Sequence, residues 1–102
     1  MNYINLGFFS GKLLHIIGFR YINNNLGLEL LNNNNEYCEV TLYDKDIKLS
    51  DGFLLLNSKM DEKLKIFLIK KNIFRIIKKI NDYEIAMINK NVYDKLINLK
   101  EV

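Results

Sequence analysis

The residues that could carry acid–base or nucleophilic chemistry are few in this chain. It has one histidine, His15, and one cysteine, Cys38. A nucleophilic triad would need His15 beside Cys38 or one of the three serines, Ser10, Ser50 and Ser58, with a carboxylate to orient the imidazole. His15 stands between two aliphatic residues in a strand-like segment, and no local spacing assembles such a set. We therefore predict no catalytic residues and a protein that is not an enzyme.

Metal and cofactor sites have little support in the sequence. A zinc site needs three or four Cys, His or carboxylate ligands, and one histidine and one cysteine make that set improbable. Asp44, Asp46 and Asp51 share one polar segment, but the calcium-loop pattern with its glycine and closing glutamate is missing. The acid-x-Lys triplet at residues 46–48 arises easily by chance in a lysine-rich chain. We predict no bound metal and no cofactor.

Charge is unevenly divided along the chain. Residues 1–51 hold four Lys and Arg against six Asp and Glu, whereas residues 52–102 hold eleven against six. A basic surface of this kind suits a phosphate backbone or an acidic protein, although a solvated lysine-rich helix face is the simpler interpretation. Arginine, the residue preferred for bidentate phosphate contacts, is scarce. The candidate nucleic-acid or acidic-partner residues are Lys63, Lys70, Lys71, Arg75, Lys78 and Lys79.

Acidic and aromatic residues alternate in the first half of the chain. In a strand over residues 37–43, the spacing of two places Tyr37, Glu39, Thr41 and Tyr43 on one face. Aromatic residues are enriched at interface hot spots, and carboxylates beside them suit a basic partner. We predict a partner-binding surface made of Tyr37, Glu39, Tyr43, Asp44 and Asp46. The alternative is that the terminal elements cover this face.

Two asparagine runs organise the first half of the predicted fold. β-Branched and aromatic residues, or apolar residues at a spacing of two, predict strands over residues 12–22, 26–31 and 37–43. Asparagine tolerates the left-handed conformation that tight turns require. Residues 23–25 and 32–35 therefore predict hairpin loops that join three strands, and not a disordered tract.

The second half begins with a short strand and a helix. The segment "FLLLN", residues 53–57, predicts a fourth strand after the turn signal Asp51-Gly52. Ser58 predicts the N-cap of a helix, with Asp61 three residues later as in a capping box. The apolar stripe predicted to pack inward is Met60, Leu64, Phe67 and Leu68, and the helix is predicted to end at Asn72.

A hairpin and a closing helix complete the predicted order. Apolar segments over residues 73–80 and 83–89 flank Asn81-Asp82, which has the length and residue types of a two-residue hairpin turn. Residues 92–99 predict a short helix with Asn91 as its cap and with Leu96, Ile97 and Leu99 facing inward.

This order predicts a single α+β domain over residues 1–102. We expect an antiparallel sheet, made of a three-strand meander, a short fourth strand and a C-terminal hairpin, with one main helix packed on one face. With 49% hydrophobic residues the chain lies far from the composition of disordered proteins. No apolar run approaches the roughly 18 residues of a membrane span. No membrane association is expected, and the single cysteine favours the cytoplasm.

Several segments in this order resemble a small uncharacterised family of proteins carried by phages and conjugative elements of Gram-positive bacteria. They are "FFSGKLLHI", "NNNLGLELL", "EYCEVTL", "DGFLLLN", "EKLKIFLIKKNI" and "VYDKL", and together they cover most of residues 7–97. Residues 74–82, "FRIIKKIND", replace a stretch rich in Gly, Thr and Arg in that family. The resemblance implies a mobile-element context and no particular activity.

Three functions remain as hypotheses from these observations, and a small metal-dependent enzyme is the least supported of them. The first is a non-enzymatic protein-binding module of a mobile genetic element that occupies a surface of a host or defence protein, as anti-CRISPR-like inhibitors do. The second is a nucleic-acid-binding accessory protein that uses the basic residues. The sequence leaves the choice between a monomer and a dimer open.

Overall fold

The computed structural model describes residues 3–33 and 35–97. Within these ranges the chain forms seven strands and two helices, and no helix there is long and apolar enough to cross a membrane. In chain order the elements are β1 (Tyr3–Phe9), β2 (Lys12–Arg20), β3 (Leu26–Asn32), β4 (Asn35–Glu39), β5 (Phe53–Leu55), α1 (Glu62–Lys70), β6 (Phe74–Ile80), β7 (Tyr83–Ile88) and α2 (Lys90–Ile97).

The first sheet is an antiparallel meander in the order β1-β2-β3-β4. The prediction that the asparagine runs are turns is confirmed, because Asn24 and Asn33 have positive φ angles of 71° and 54°. In the second run Asn32 and Asn35 already belong to the strands and pair with each other, while residue 34 lies outside the described residues. The meander has one strand more than predicted, since β1 pairs along β2.

The predicted third strand, residues 37–43, is divided in the structure. β4 ends at Glu39, after a bulge opposite Leu30 and Leu31. The Val40 amide still donates to Leu28 O of β3 at 3.1 Å, and the chain then leaves the first sheet, where Thr41 makes an isolated antiparallel bridge with Leu56. The alternation therefore fails beyond Glu39: Thr41, predicted on the polar face, is fully buried.

The second sheet is also antiparallel and has the order β5-β7-β6. The structure therefore contains two sheets where the sequence predicted one, because β5 pairs with β7 and not with the meander. The predicted hairpin is confirmed, with Asn81 at a φ of 54° in the turn between β6 and β7.

The main helix has a different N-cap from the predicted one. Asp61, not Ser58, caps α1, and its side chain accepts a hydrogen bond from the Lys63 amide at 3.2 Å. The C-terminus is closed by Asn72 at a φ of 61°, with Ile73 N donating to Leu68 O at 3.1 Å and Asn72 N to Ile69 O at 3.0 Å. This is the Schellman arrangement, in which a left-handed residue satisfies the last carbonyls.

The closing helix is also capped earlier in the chain than predicted. Asn89 accepts a hydrogen bond from the Asn91 amide through its side chain at 2.8 Å, so Asn91 is a helical residue and not the cap. Leu96 is buried as predicted and packs over Gly18, where a Cβ would lie 3.4 Å from the Leu96 Cβ. The predicted inward positions of Ile97 and Leu99 lie outside the described side chains.

One hydrophobic core joins both sheets and both helices. Leu14, Ile16, Leu28 and Leu30 form the inner face of the first sheet, and all four are fully buried. α1 contacts both sheets, through the Phe67 ring 5.1 Å from that of Phe9 and through Leu64 and Leu68 in the shared core. Each fully buried aliphatic side chain of this kind stabilises the fold by about 1.5–3 kcal/mol.

Candidate interaction surfaces

The face of the first sheet that points away from the core carries most of its acidic residues. Residues directly opposite each other on antiparallel strands share a face, so the register defines this outer face. Glu29 lies opposite Glu39 on one side and Ile17 on the other, and Leu31 lies opposite Glu36. We define the outer face as Tyr3, Asn5, Phe8, Leu13, His15, Ile17, Phe19, Gly27, Glu29, Leu31, Glu36 and Glu39.

Three glutamates crowd at the β3–β4 side of this face. Partial burial raises the pKa of Glu29, and the neighbouring Glu36 and Glu39 carboxylates raise it further. Two like charges directly opposite each other on adjacent strands are destabilising. Among the described residues of the outer face there is no lysine or arginine to offset this repulsion.

Aromatic rings lie at two places on this face. Tyr3 and Phe8 are 55% and 71% exposed, and the Tyr3 ring stands edge-on to His15 with centroids 4.8 Å apart. At the other end, the rings of Phe19 and Tyr21 lie 5.0 Å apart, and Tyr21 lies 5.6 Å from Tyr43. The outer face and these rings thus form one continuous mixed surface.

Tyr21 connects the aromatic rings to the glutamates. Burial raises the pKa of the Tyr21 phenol, a hydrogen bond with Thr41 partly offsets this, and the charges of Glu39 and Glu29 raise it again. The Tyr21 hydroxyl lies 2.9 Å from the Thr41 hydroxyl, which fixes the ring in place. We call the outer face together with Tyr21 and Tyr43 the acidic aromatic surface.

The five residues predicted as a partner-binding surface do not all lie together. Glu39 is on the acidic aromatic surface, and Tyr43 joins it at 46% exposure. Tyr37 instead packs against the hydrophobic core, because the β4 bulge breaks the alternation. Asp44 accepts a hydrogen bond from the Tyr83 hydroxyl at 3.1 Å and one from the Asp46 amide at 2.9 Å, whereas the Asp46 side chain is on the exposed connection.

Sequence reasoning missed two of the three glutamates. The spacing of two already placed Glu29 on the opposite face of its strand from the neighbouring leucines. That pattern is the signal that could have identified it. Glu36 comes onto the same face only through the bulge, and a bulge in one strand has no sure sequence signature.

The predicted basic residues are spread over separate surfaces. Lys63 and Lys70 are exposed on α1, and Lys71 is exposed at its C-cap, with the ammonium 5.6 Å from the Phe67 ring centroid. On β6, Lys79 lies opposite Glu84 and so shares the α1 side of the second sheet. The register places the other two, Arg75 opposite Met87 and Lys78 opposite Ile85, on the reverse side.

No protein-family model, curated protein or solved structure matches this chain. The resemblance to a phage and conjugative-element family therefore stays a prediction.

The environment of Cys38 opposes a reactive thiolate. Burial raises the pKa of the thiol, and the charges of Glu39, Asp61 and Glu36 raise it further. Reactive cysteines have lowered pKa values in electropositive surroundings, and Cys38 has the opposite environment. Its thiol lies 3.4 Å from the Glu39 carbonyl, to which it donates a weak hydrogen bond. Within residues 3–33 and 35–97, no three His, Cys, Asp or Glu side chains are placed to hold a metal ion.

A polar cluster joins the first sheet to α2. Arg20 donates to Asp51 at 2.8 Å and to the Tyr93 hydroxyl at 2.9 Å, and Tyr93 donates a short hydrogen bond to the other oxygen of Asp51. These hydrogen bonds hold the pKa of Asp51 below its usual value. Each of the three side chains pairs with the other two, so the cluster fixes α2 to the end of β2.

Beside this polar cluster lie two shallow cavities of about 300 and 310 Å³ that share Met87, Ile88 and Lys90. Arg75 lines one and Asp51 the other, and both open broadly to solvent. They form the outer side of the second sheet next to α2.

Proposed function

We propose that this protein is a non-enzymatic binding module that docks a basic surface of another protein on its acidic aromatic surface. The observation that carries the proposal is the set of Glu29, Glu36 and Glu39, which share one sheet face without a cation among its described residues, and this face also carries exposed aromatic rings. In the context that the family resemblance implies, the partner is a host or defence protein in the cytoplasm, which the module inhibits by occupying its surface.

The electrostatics support a basic partner. Carboxylates that repel one another in the isolated protein gain most when cationic side chains approach, because each new ion pair also relieves the existing repulsion. Arginine suits this role best, since its planar guanidinium pairs with carboxylates and stacks on rings such as Tyr43. The negative charge of the acidic aromatic surface thereby resembles that of nucleic acid, and a nucleic-acid-binding partner would be attracted to it for the same reason.

The aromatic residues support a protein partner rather than a free small cation. Phe8 and Tyr3 expose large apolar areas on the same face, and exposed aromatic residues become anchors when an interface desolvates them. Electrostatic attraction then sets the association rate, and the apolar contacts slow dissociation.

The test is to recover the tagged protein from its own host after nuclease treatment and to identify a stoichiometric protein partner. The decisive variant replaces Glu29, Glu36 and Glu39 by glutamine, which keeps the shape of the face and removes its charge. A matched control replaces Asp46, Glu62 and Asp82, which are exposed carboxylates elsewhere, by their amides. We expect the first variant to lose the partner and the control to retain it.

The purified complex then gives a quantitative test. We expect its affinity to fall as salt rises, because the contact is between opposite charges at a partly exposed surface. Equal binding by the two variants would contradict the proposed surface. A partner that disappears with nuclease would instead favour the alternative, a nucleic-acid-binding accessory protein.

A further inference from the structure

β6 is an open edge of the second sheet. The strand order β5-β7-β6 gives it one neighbour among the described residues, on the β7 side. Only its first residue, Phe74, is buried, and the next five side chains, residues 75–79, are all exposed. An edge strand with free main-chain groups is a template for another strand.

The register identifies which main-chain groups of β6 are available. Glu84 O accepts a hydrogen bond from Leu56 N at 3.0 Å, so this carbonyl points toward β5. Hydrogen bonding alternates along antiparallel strands, and Lys79, opposite Glu84, therefore directs its own amide and carbonyl away from β7. Ile88 N likewise donates to Gly52 O at 2.9 Å, so the main chain of Ile88 also points toward β5. Ala86, two residues away, points the same way, and Ile76, opposite Ala86, therefore directs its own amide and carbonyl to the open edge.

The side chains of β6 define what the edge would accept. Arg75, Lys78 and Lys79 give the strand three positive charges and no negative one, and Ile76 and Ile77 are 37% and 38% exposed. The nearest carboxylate across the sheet, Glu84, is already paired with Lys65 at 2.8 Å. A second copy of β6 would bring like charges together, which is how lysines protect natural sheet edges.

We propose that β6 accepts an extended acidic segment of another protein as an added strand. Main-chain hydrogen bonds at Ile76 and Lys79 hold the segment, its acidic side chains pair with Arg75 and Lys78 on one face of the sheet, and its apolar side chains cover Ile76 on the other. This site is separate from the acidic aromatic surface and does not depend on the function proposed there.

The bulge at Ile77 sets a geometric condition on the added strand. Ile76 and Lys79 are three residues apart, where a regular strand would present outward groups every two residues. The added segment can therefore pair along the whole of β6 only if it has a bulge of its own opposite Ile77. A segment without a bulge pairs with the residues on one side of Ile77 at a time.

A defined peptide tests the site without knowledge of the natural partner. The probe is a short peptide with blocked ends that alternates glutamate with valine, and the measurement is amide hydrogen exchange resolved by residue with NMR. We expect the amides of Ile76 and Lys79 to gain protection when the peptide binds, while that of Lys78, which faces β7, stays unchanged. Methylation of alternate peptide nitrogens should abolish this protection, because it removes the main-chain donors.

Charge variants complete the experiment. Arg75→Glu with Lys78→Glu should weaken peptide binding by about tenfold, since each reversal turns an exposed attraction into a repulsion. Lys12→Glu with Lys45→Glu, which makes the same charge change at exposed positions outside β6, should leave binding within about twofold.

Four results would overturn the proposal. They are no binding of the peptide, binding without protection at Ile76 and Lys79, equal binding of the methylated peptide, and protection of these amides that rises with protein concentration in the absence of peptide. The last would assign the edge to a second copy of the chain. If a single-stranded oligonucleotide binds β6 and the acidic peptide does not, the strand contacts nucleic acid instead.

Discussion

Glu29 occupies an unfavourable position for a carboxylate. It is half-buried on its strand, faces Glu39 directly and has Glu36 beside it. Its raised pKa means that folding makes the charged form less favourable than it is in the unfolded chain. The folded protein therefore loses stability at neutral pH through the residue that lies at the centre of the acidic aromatic surface. Such a cost is typical of positions where binding, and not folding, decides the residue.

Glu29→Gln should accordingly stabilise the protein at pH 7. We expect an increase in the free energy of unfolding of about 0.5 kcal/mol, a small value because partial exposure and salt screen the repulsion. The gain should shrink as the pH falls through the raised native pKa, and it should vanish well below the unfolded-state value near 4.5, where Glu29 is protonated in both states.

Urea unfolding of the two proteins at neutral and acidic pH measures this difference. Asp46→Asn, a change of the same charge on the exposed connection, serves as the control and should leave stability nearly unchanged. A destabilised Glu29→Gln protein at pH 7 would show that Glu29 makes a favourable contact in the fold.

Gly27 shows how closely the residues of this surface fit. A Cβ built on it would lie 2.5 Å from Phe19 Cε2 and 2.9 Å from Tyr21 Cε2. The two rings can cover position 27 only because glycine has no side chain. Position 27 therefore controls the placement of the aromatic part of the surface.

Individual residues were harder to place from the sequence than the strands that carry them. The spacing of two correctly put Leu26, Leu28 and Leu30 on a buried face. It failed for Tyr37, because a bulge inserts one residue into β4, and for Thr41, because the chain has left the first sheet there and pairs with Leu56. The sequence thus predicted an acidic aromatic surface but included only Glu39 and Tyr43 of the residues that form it.

At the scale of the elements, the two candidate caps of α1 offer a direct comparison. Asp61 accepts a hydrogen bond from the Lys63 amide, whereas Ser58 is exposed and lies before the helix begins. Asp61→Ala should lower the free energy of unfolding by about 1 kcal/mol, as is usual for the loss of an N-cap. Ser58→Ala should change it by only a few tenths of a kcal/mol, since surface substitutions away from caps have small effects.

Thermal or urea denaturation of the two variants distinguishes the caps. Asp61→Asn provides a further check, because asparagine is also a good cap and should retain most of the stability. A larger loss for Ser58→Ala than for Asp61→Ala would reverse the assignment.

Elements with strong local signals were predictable, and those shaped by distant pairing were not. The hairpin around Asn81 and the end of α1 at Asn72 depend on single residues that adopt a positive φ. β1 was missed because a bulge between Asn5 and Gly7 puts Leu6 in the core and leaves Phe8 exposed, although both would share a face in a regular strand. The division into two sheets depends on which strand β5 joins, and that choice is made by packing.

At the scale of the whole molecule, the cluster of Arg20, Asp51 and Tyr93 joins three distant parts of the chain. Arg20 ends β2, Asp51 lies just before β5, and Tyr93 lies in α2. The lowered pKa of Asp51 means that its ionised form stabilises the folded state. That contribution is complete above the unfolded-state value near 3.8 and is lost as the pH falls through the lower native pKa.

Asp51→Asn should therefore destabilise the protein at pH 7 by about 1 kcal/mol, a figure reduced for the exposure of the Asp51 side chain. The difference between the two proteins should narrow under acidic conditions. The substitution removes one of the contacts that hold α2. It should therefore increase the rate of amide exchange in α2 more than it does in β2. Amide exchange at neutral pH measures this effect, and uniform exchange across both elements would argue against a role of the cluster in holding α2.

The two proposed binding sites carry opposite charges and lie on different sheets. The acidic aromatic surface belongs to the first sheet, and the three cations of β6 belong to the far edge of the second. A net charge of only +3 hides this separation. Partners of opposite character can therefore be tested independently on one folded chain.

The asparagines in the turns have a consequence for engineering. Asn24, Asn33, Asn72 and Asn81 all hold positive φ angles, a conformation that costs L-residues about 1–2 kcal/mol and that glycine adopts freely. None of the four belongs to the acidic aromatic surface or to β6. Substitutions at these four positions can therefore raise or lower the thermal stability of the protein one residue at a time. The residues of both proposed binding sites stay unchanged when they do.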